Sequence, residues 1–381
     1  MGRRKKTSRP DVICVLDFGG SMTKIFLGDL QGKCSLLCME PEVMRVPASA
    51  IANYERTKLG SADPKDAAYV GVEDDYYAVG YLAASQFHAN AGLSELKYER
   101  ALPKTLAAVW VASQYLSLGN QFNAAIGVLL PPGEYEDREH FEALLRSALA
   151  NYETPTGTLN VNLSQFNCKP EGGGIYLMHS AEHSAQVKQS VCAVVMVGYR
   201  NASVLVSNRG QVGQFKTSNL GFIRMVELVQ KRSSGLDTTE LAQAIASSGE
   251  EVDIRPLRRL FQDTDADLRR EKVDKLTKAI KESRTEYVAM LESWLKEALP
   301  QRLGEVILCG GTADYLHREL NEHFPATPIT WHADIDIPEE LDKYDMGNRC
   351  ADVYGMYLYF AESVQVQFAH SLEVMSHGTD E

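Results

Sequence analysis

Apolar and polar positions divide the chain into short alternating runs. VICVL reaches Asp17, breaks at the glycines and small residues of FGGSMT, and resumes from Lys24, which predicts a β-hairpin. A third strand is predicted in KCSLLCMEPEVMRVP, and two short strands around the acidic turn Glu73 to Asp75 in AAYVGVEDDYYAVGYLA. LPKTLAAVWVASQYLSLG has apolar spacing of three and four and predicts an amphipathic helix ending at Gly119. FNAAIGVLLPPGEY reads as a buried strand stopped by Pro131 and Pro132, and DREHFEALLRSALANY as a helix that begins in acids.

A second series of strands is expected from GGGIYLMHS onward. It leads into SVCAVVMVGYRNASVLVSNRGQVGQF, a long hairpin interrupted by Gly198. Leu220 to Leu299 reads as mostly helical, with Asp237 and Glu240 spaced as a capping box and a long helix ending at Pro300. EVILCGGTADYL is a strand, two glycines and a helix, and NRCADVYGMYLYF is the closing helix. Two copies of hairpin, further strand, helix, strand and helix predict two similar α/β halves facing one another.

At 381 residues and 44% hydrophobic, the chain is long enough for a sizeable core and for two domains. Its net charge of -12 excludes a surface that is wholly a nucleic-acid footprint, leaving only local basic patches. The seven cysteines are scattered, and Cys14, Cys192 and Cys309 lie in strand-like runs, as reduced core residues do; Cys34 and Cys38 lack the partners of a metal site. No apolar run reaches bilayer length, and the basic start MGRRKKTSRP has no signal-peptide core behind it, so a cytosolic protein is expected. His179 and His183 in HSAEH read as a polar loop, and RREKVDKLTKAIKESR as a solvated helix face.

Chemistry concentrates in DFGGSMTK. Gly19 and Gly20 let backbone N–H groups approach a phosphate, Ser21 adds a hydroxyl, Lys24 adds positive charge, and Asp17 can hold magnesium through water. The competing reading is a glycine-rich hairpin with a surface salt bridge.

These residues resemble the phosphate-1 loop of the actin superfamily, in which Lys follows Asp by seven residues. VILCGGTADYL resembles its adenosine motif, which implies that Gly310 and Gly311 let the backbone approach a nucleotide with Thr312 beside it. LLPPGEYEDREHF and ADVYGMYLYF resemble the strand-to-helix connection and final helix of bacterial actins of the ParM and StbA type, which implies Glu134 as the group near the attacking water. The second phosphate loop departs from the pattern: Gly198 is present, but Met196 stands where the family has Asp. A thioether neither binds a hard cation nor orients water as a base. Gly198, Arg200 and Asn201 remain to hold phosphate, so slow hydrolysis is expected.

The resemblance implies an α/β, two-lobed actin-like fold, a duplicated ribonuclease H-like design with a nucleotide cleft between lobes. The expected parts are a basic flexible tail over 1–10, lobe I over 11–165 with a small β insertion at about 40–85, and lobe II over 166–349. A helix over 350–370 returns to lobe I, and 371–381 is a tail. The implied function is a filament-forming protein that binds ATP and Mg2+ and hydrolyses ATP slowly, serving ParM-type DNA segregation through an adaptor protein. Its partners are then copies of itself, the adaptor, and DNA indirectly. Arg3, Arg4, Lys5 and Lys6 add a weak membrane-surface contact, placing filaments in the cytoplasm near the inner membrane or nucleoid. The alternatives are a filament for cell shape or envelope organisation, and a monomeric small-molecule kinase on the same fold.

Overall fold

The computed structural model describes residues 8–92 and 97–376. The basic residues Arg3 to Lys6 lie outside them. The chain divides into two compact units, one running to Met178 and resuming at Ile335, the other from His179 to Asp334.

The first unit is built on Val12–Phe18 (β1), Thr23–Gly28 (β2) and Cys34–Met39 (β3), successive antiparallel neighbours. Every residue of β1 and β2 is buried, because both faces of this part of the sheet are covered. The segment continues through Val43–Val46 (β4), Ala48–Thr57 (α1), Tyr69–Val72 (β5), Asp75–Val79 (β6), Tyr81–Phe87 (α2) and Lys97–Leu116 (α3). Gln121–Leu130 (β7), Arg138–Leu149 (α4), Tyr152–Thr154 (β8), Gly157–Pro170 (β9) and Gly173–Glu182 (α5) follow. The sheet order is β3-β2-β1-β7-β9-β8-β5-β6-β4, with β1, β7 and β9 parallel to one another.

Side-chain parity sorts β1 between two layers. Val12, Cys14, Leu16 and Phe18 pack with Trp110 of α3 and Phe141 of α4; Ile13 and Val15 pack with Met356 and Phe360 of the closing helix.

The second unit contains Ser184–Val187 (α6), Val191–Val197 (β10), Ala202–Asn208 (β11), Gln211–Ser218 (β12), Phe222–Arg232 (α7), Thr238–Ser248 (α8), Ile254–Arg258 (α9) and Ala266–Ala298 (α10). Glu305–Cys309 (β13), Gly311–Tyr315 (α11), His317–His323 (α12) and Ile329–Trp331 (β14) complete it. Its sheet order is β12-β11-β10-β13-β14. β10, β11 and β12 are successive antiparallel neighbours, and β10, β13 and β14 run parallel, the same plan as β3-β2-β1-β7-β9. The predicted repetition of hairpin and further strands is therefore present in both units. Asp237 caps α8 by accepting from the Thr239 and Glu240 N–H groups, as its spacing predicted.

Ala351–Ser376 (α13) closes the chain and crosses α5 at unusually short range. A Cβ on Gly174 would lie 2.0 Å from the Asp352 carbonyl oxygen, so only glycine permits this approach. The crossing brings the Asp352 carboxylate to the start of α5, where Gly172 N–H donates to Oδ2 at 2.7 Å and Ile175 N–H to Oδ1 at 3.1 Å. Two orphan amides of the helix terminus are thereby satisfied from another helix.

Several expectations need correction. GGGIYLMHS is helix α5, not a strand lead-in; it is apolar almost all round because it is buried, so it lacks an amphipathic period. Segment 33–47 holds two strands, since β4 leaves β3 and pairs with β6. β9 was not anticipated, although TLNVNL alternates buried and exposed positions. α3 starts at Lys97 and ends at Leu116, short of Gly119, and α13 runs to Ser376, into the segment expected as a tail. Residues 166–178 and 335–349 group with the first unit.

The helix crossing is testable. Gly174→Ala should lower unfolding free energy by ~1–3 kcal/mol through overpacking, despite a helix-propensity gain of up to ~1 kcal/mol. The urea midpoint should fall at unchanged m. An unchanged midpoint would show that the two helices separate at no cost.

Candidate functional site

In the first unit the hairpin register sets Asp17 directly opposite Lys24. Lys24 Nζ donates to Asp17 Oδ2 at 2.6 Å, with both side chains buried. Burial alone would lower the Lys24 pKa, but the adjacent carboxylate holds it above its ordinary value. The surface salt bridge considered from sequence is therefore a desolvated pair. Gly19, Gly20 and Ser21 form the half-buried turn between its members, and Arg349 donates to Ser21 Oγ at 3.2 Å.

Asp17 shares the parity of Ile13 and Val15 and thus faces the α13 side of the sheet. Two further carboxylates follow the neighbouring parallel strands. Glu134 is buried in a 3-10 turn after β7, and Glu171 is buried just after β9, its N–H donating to Leu130 O at 2.8 Å. The carboxyl ends of parallel strands are where α/β sheets place ligands. Asp352 is buried close by; burial, joined by the charges of Asp17 and Glu171 and opposed by the Gly172 and Ile175 N–H groups, raises its carboxyl from 3.8 to about 7. Asp17 and Glu171 thus each lie near enough to Asp352 to act on its carboxyl.

The second unit gathers its own cluster after β10 and β13. Gly198 N–H donates to Asn201 O at 2.9 Å and closes the turn into β11. Gly198 O accepts from Thr312 Oγ1 at 2.8 Å and from Phe222 N–H at 3.1 Å. Gly310 has φ 97°, and a Cβ there would lie 2.5 Å from Val197 O, so glycine is required where β13 meets α11. Gly311 opens α11. Arg200 Nε and Asn201 Oδ1 are buried without hydrogen-bond partners, an arrangement that costs free energy until a polar group arrives.

The duplicated sheet puts the two loops in register. Asp17 is the penultimate residue of β1 and faces Lys24; Met196 is the penultimate residue of β10 and faces Ser203. Each is two residues from its glycine, Gly19 or Gly198.

Asp17, Gly19, Gly20, Ser21, Lys24 and Glu134 therefore lie in the first unit, and Gly198, Arg200, Asn201, Gly310, Gly311 and Thr312 in the second. Sequence reading missed Glu171, Asp352 and Arg349. Glu171 had a signal, an acid at the end of an alternating run; Asp352 and Arg349 had none, because only the return of α13 brings them near the β1 turn.

No protein-family model matches the chain, and no curated protein matches it in sequence. The fold is nevertheless that of actin-like proteins of the ParM type. A ParM filament structure from Clostridium botulinum superposes with TM-score 0.59 at 15% identity, covering 93% of this chain and 99% of that one. The archaeal actin homolog Ta0583 in complex with ADP gives 0.56 at 17% identity, covering 92% and 99%. An apo psk41 ParM protein gives 0.51 at 13% identity, covering 93% and 99%.

Asp352 makes stability pH-dependent. Its folded pKa of about 7 lies above the ordinary 3.8, so its contribution is full at acid pH and is lost as pH rises toward and through 7. Asp352→Asn keeps the site neutral, and its unfolding free energy should fall less than wild type's between about pH 4 and 7. Parallel pH profiles for the two proteins would contradict the assignment.

Proposed function

We propose that this protein binds ATP with Mg2+ and assembles into filaments under nucleotide control. The observation that carries the reading is the repeated strand-end loop, charged in the first unit and holding orphaned polar atoms in the second. Gly198 and Arg200 fit phosphate oxygens, because the buried Arg200 Nε needs an acceptor and the close-packed turn brings Gly198 beside it; the orphaned Asn201 Oδ1 needs a donor, so Asn201 would meet phosphate through its amide NH2. Gly310, Gly311 and Thr312 fit the nucleoside end of the ligand, with Gly310 allowing close backbone approach. Gly19, Gly20, Ser21 and Lys24 hold phosphate in the other loop, and Asp17 holds the metal ion through water.

Bound magnesium supplies charge neutralisation on the phosphates. The protein's own carboxylates orient water, and two stand at adjacent strand ends. Glu134 is the candidate that the sequence suggested. Glu171 shares the field of Asp17 and Asp352, which favours it for the role. Met196 leaves the second loop without a carboxylate at the matching position, so turnover is slow.

Assembly is inferred from likeness to a ParM filament protein, and a role in DNA segregation through an adaptor is what the motif resemblance of the sequence implies. Among the described residues no helix is long and apolar enough to cross a membrane. The described cysteines form no disulfide, as in reducing compartments, which fits a cytoplasmic filament.

Sedimentation and phosphate release test this together. Wild-type protein should pellet with Mg-ATP and not with ADP. Glu171→Gln should still pellet while releasing phosphate ~10²-fold or more slowly, the range of a general acid–base group. Glu134→Gln should have the smaller effect. A larger loss in Glu134→Gln would return the role to that residue, and no ATP-dependent pellet at any protein concentration would overturn filament formation.

A further inference from the structure

The HSAEH stretch, which reads from sequence as a polar loop, is instead the last turn of α5 and its continuation, with His183 N–H donating to His179 O at 2.8 Å. His179 is only 1% exposed. It meets Cys192 of β10 and Glu305 of β13, which are direct neighbours in the parallel ladder and so project from the same face. That face is opposite the one on which Ala193, Val195 and Val306 pack against α7 to α10.

We propose that His179, Cys192 and Glu305 form a buried binding site for a zinc-type divalent cation. One ligand atom from each residue lies within 4.8 Å of the other two, and all three side chains are buried. Imidazole, thiolate and carboxylate are a donor set suited to this ion. A thiolate and a carboxylate together neutralise a dication, which removes the charge penalty of burial.

The surroundings already have the character of an outer shell. Thr330 Oγ1 donates to Glu305 Oε1 at 2.9 Å, and Gln186 Nε2 donates to Oε2 at 3.3 Å, fixing the carboxylate from two sides. His179 Nε2 lies 3.0 Å from Glu305 Oε2, while its Nδ1 is buried with no partner. Among the described residues no Lys or Arg pairs with Glu305, so its buried charge lacks a permanent cation. Two ligands on a tetrahedral zinc with bonds of ~2.0 Å stand roughly 3.3 Å apart, so His179 and Glu305 need to part only slightly. His183, one helical turn on, packs its ring 4.6 Å from that of His179 but lies outside the ligand group, which supplies three protein donors. Such an ion ties the end of α5 to β10 and β13, at the point where the chain enters the second unit.

The full-length protein, stripped with a chelator and dialysed, should be titrated with Co2+ as a spectroscopic substitute for zinc. Wild type should take up about one equivalent and show a thiolate-to-cobalt charge-transfer band in the near ultraviolet that Zn2+ abolishes. Cys192→Ala should lose the band and the tight equivalent, and Cys192→Ser, closer in size, guards against a packing defect by giving the same loss. Zn2+ should raise the thermal midpoint of wild type and leave both variants unchanged. Wild type without the band, or a folded Cys192 variant that keeps it, would overturn the proposal.

Discussion

A carboxylate and an ammonium are buried against each other across the β1–β2 hairpin, and each lowers the cost of burying the other. Removing one partner of such a buried pair typically costs ~3–5 kcal/mol, whereas an apolar pair would serve stability as well or better. Stability therefore gives no reason for charge at Asp17 and Lys24. Their position does: the hairpin places them at the carboxyl end of a parallel array, where Glu134 and Glu171 follow the next two strands. The fold maintains this costly arrangement by closing one face of the sheet with α13, which together with the turn before it brings Asp352 and Arg349 to the same end.

The second sheet repeats the plan with a different balance. Where β1 and β2 set Asp17 against Lys24, β10 and β11 set Met196 against Ser203, and the charge pair is absent. Polar capacity moves instead into the turn, to Arg200 and Asn201, and the glycine at the end of β13 keeps the backbone low. In the proposed reading one loop is equipped for charge and metal, the other for hydrogen bonding. On that reading the division separates binding from turnover, since phosphate can be held without a base while fast hydrolysis cannot proceed without one.

Legibility followed exposure. The hairpin, the loop residues and α10 could be read because a buried apolar stripe or a glycine turn has a period or a composition. Helix α5 could not: buried on most sides, it offers no polar face, and three leading glycines look like loop. Missing β9 then concealed Glu171, whose meaning depends on being the end of a third parallel strand. His179 is hidden for the same reason, because HSAEH has the composition of a loop, and only the strand register brings Cys192 and Glu305, distant in sequence, beside it. Asp352 illustrates the remaining gap, since a side chain that caps one helix from the start of another leaves no trace in local pattern.

The most direct measurement is calorimetric titration of Mg-ATP into a variant carrying Asp17→Asn and Lys24→Gln together, which keeps the buried site neutral and polar. If the pair exists to hold phosphate and metal, affinity should fall at least about tenfold, since one charge-assisted contact is worth ~1.5–3 kcal/mol. The unfolding midpoint should change little. Wild-type affinity in that folded variant would mean that the buried pair serves the hairpin alone and that nucleotide, if bound, is held elsewhere.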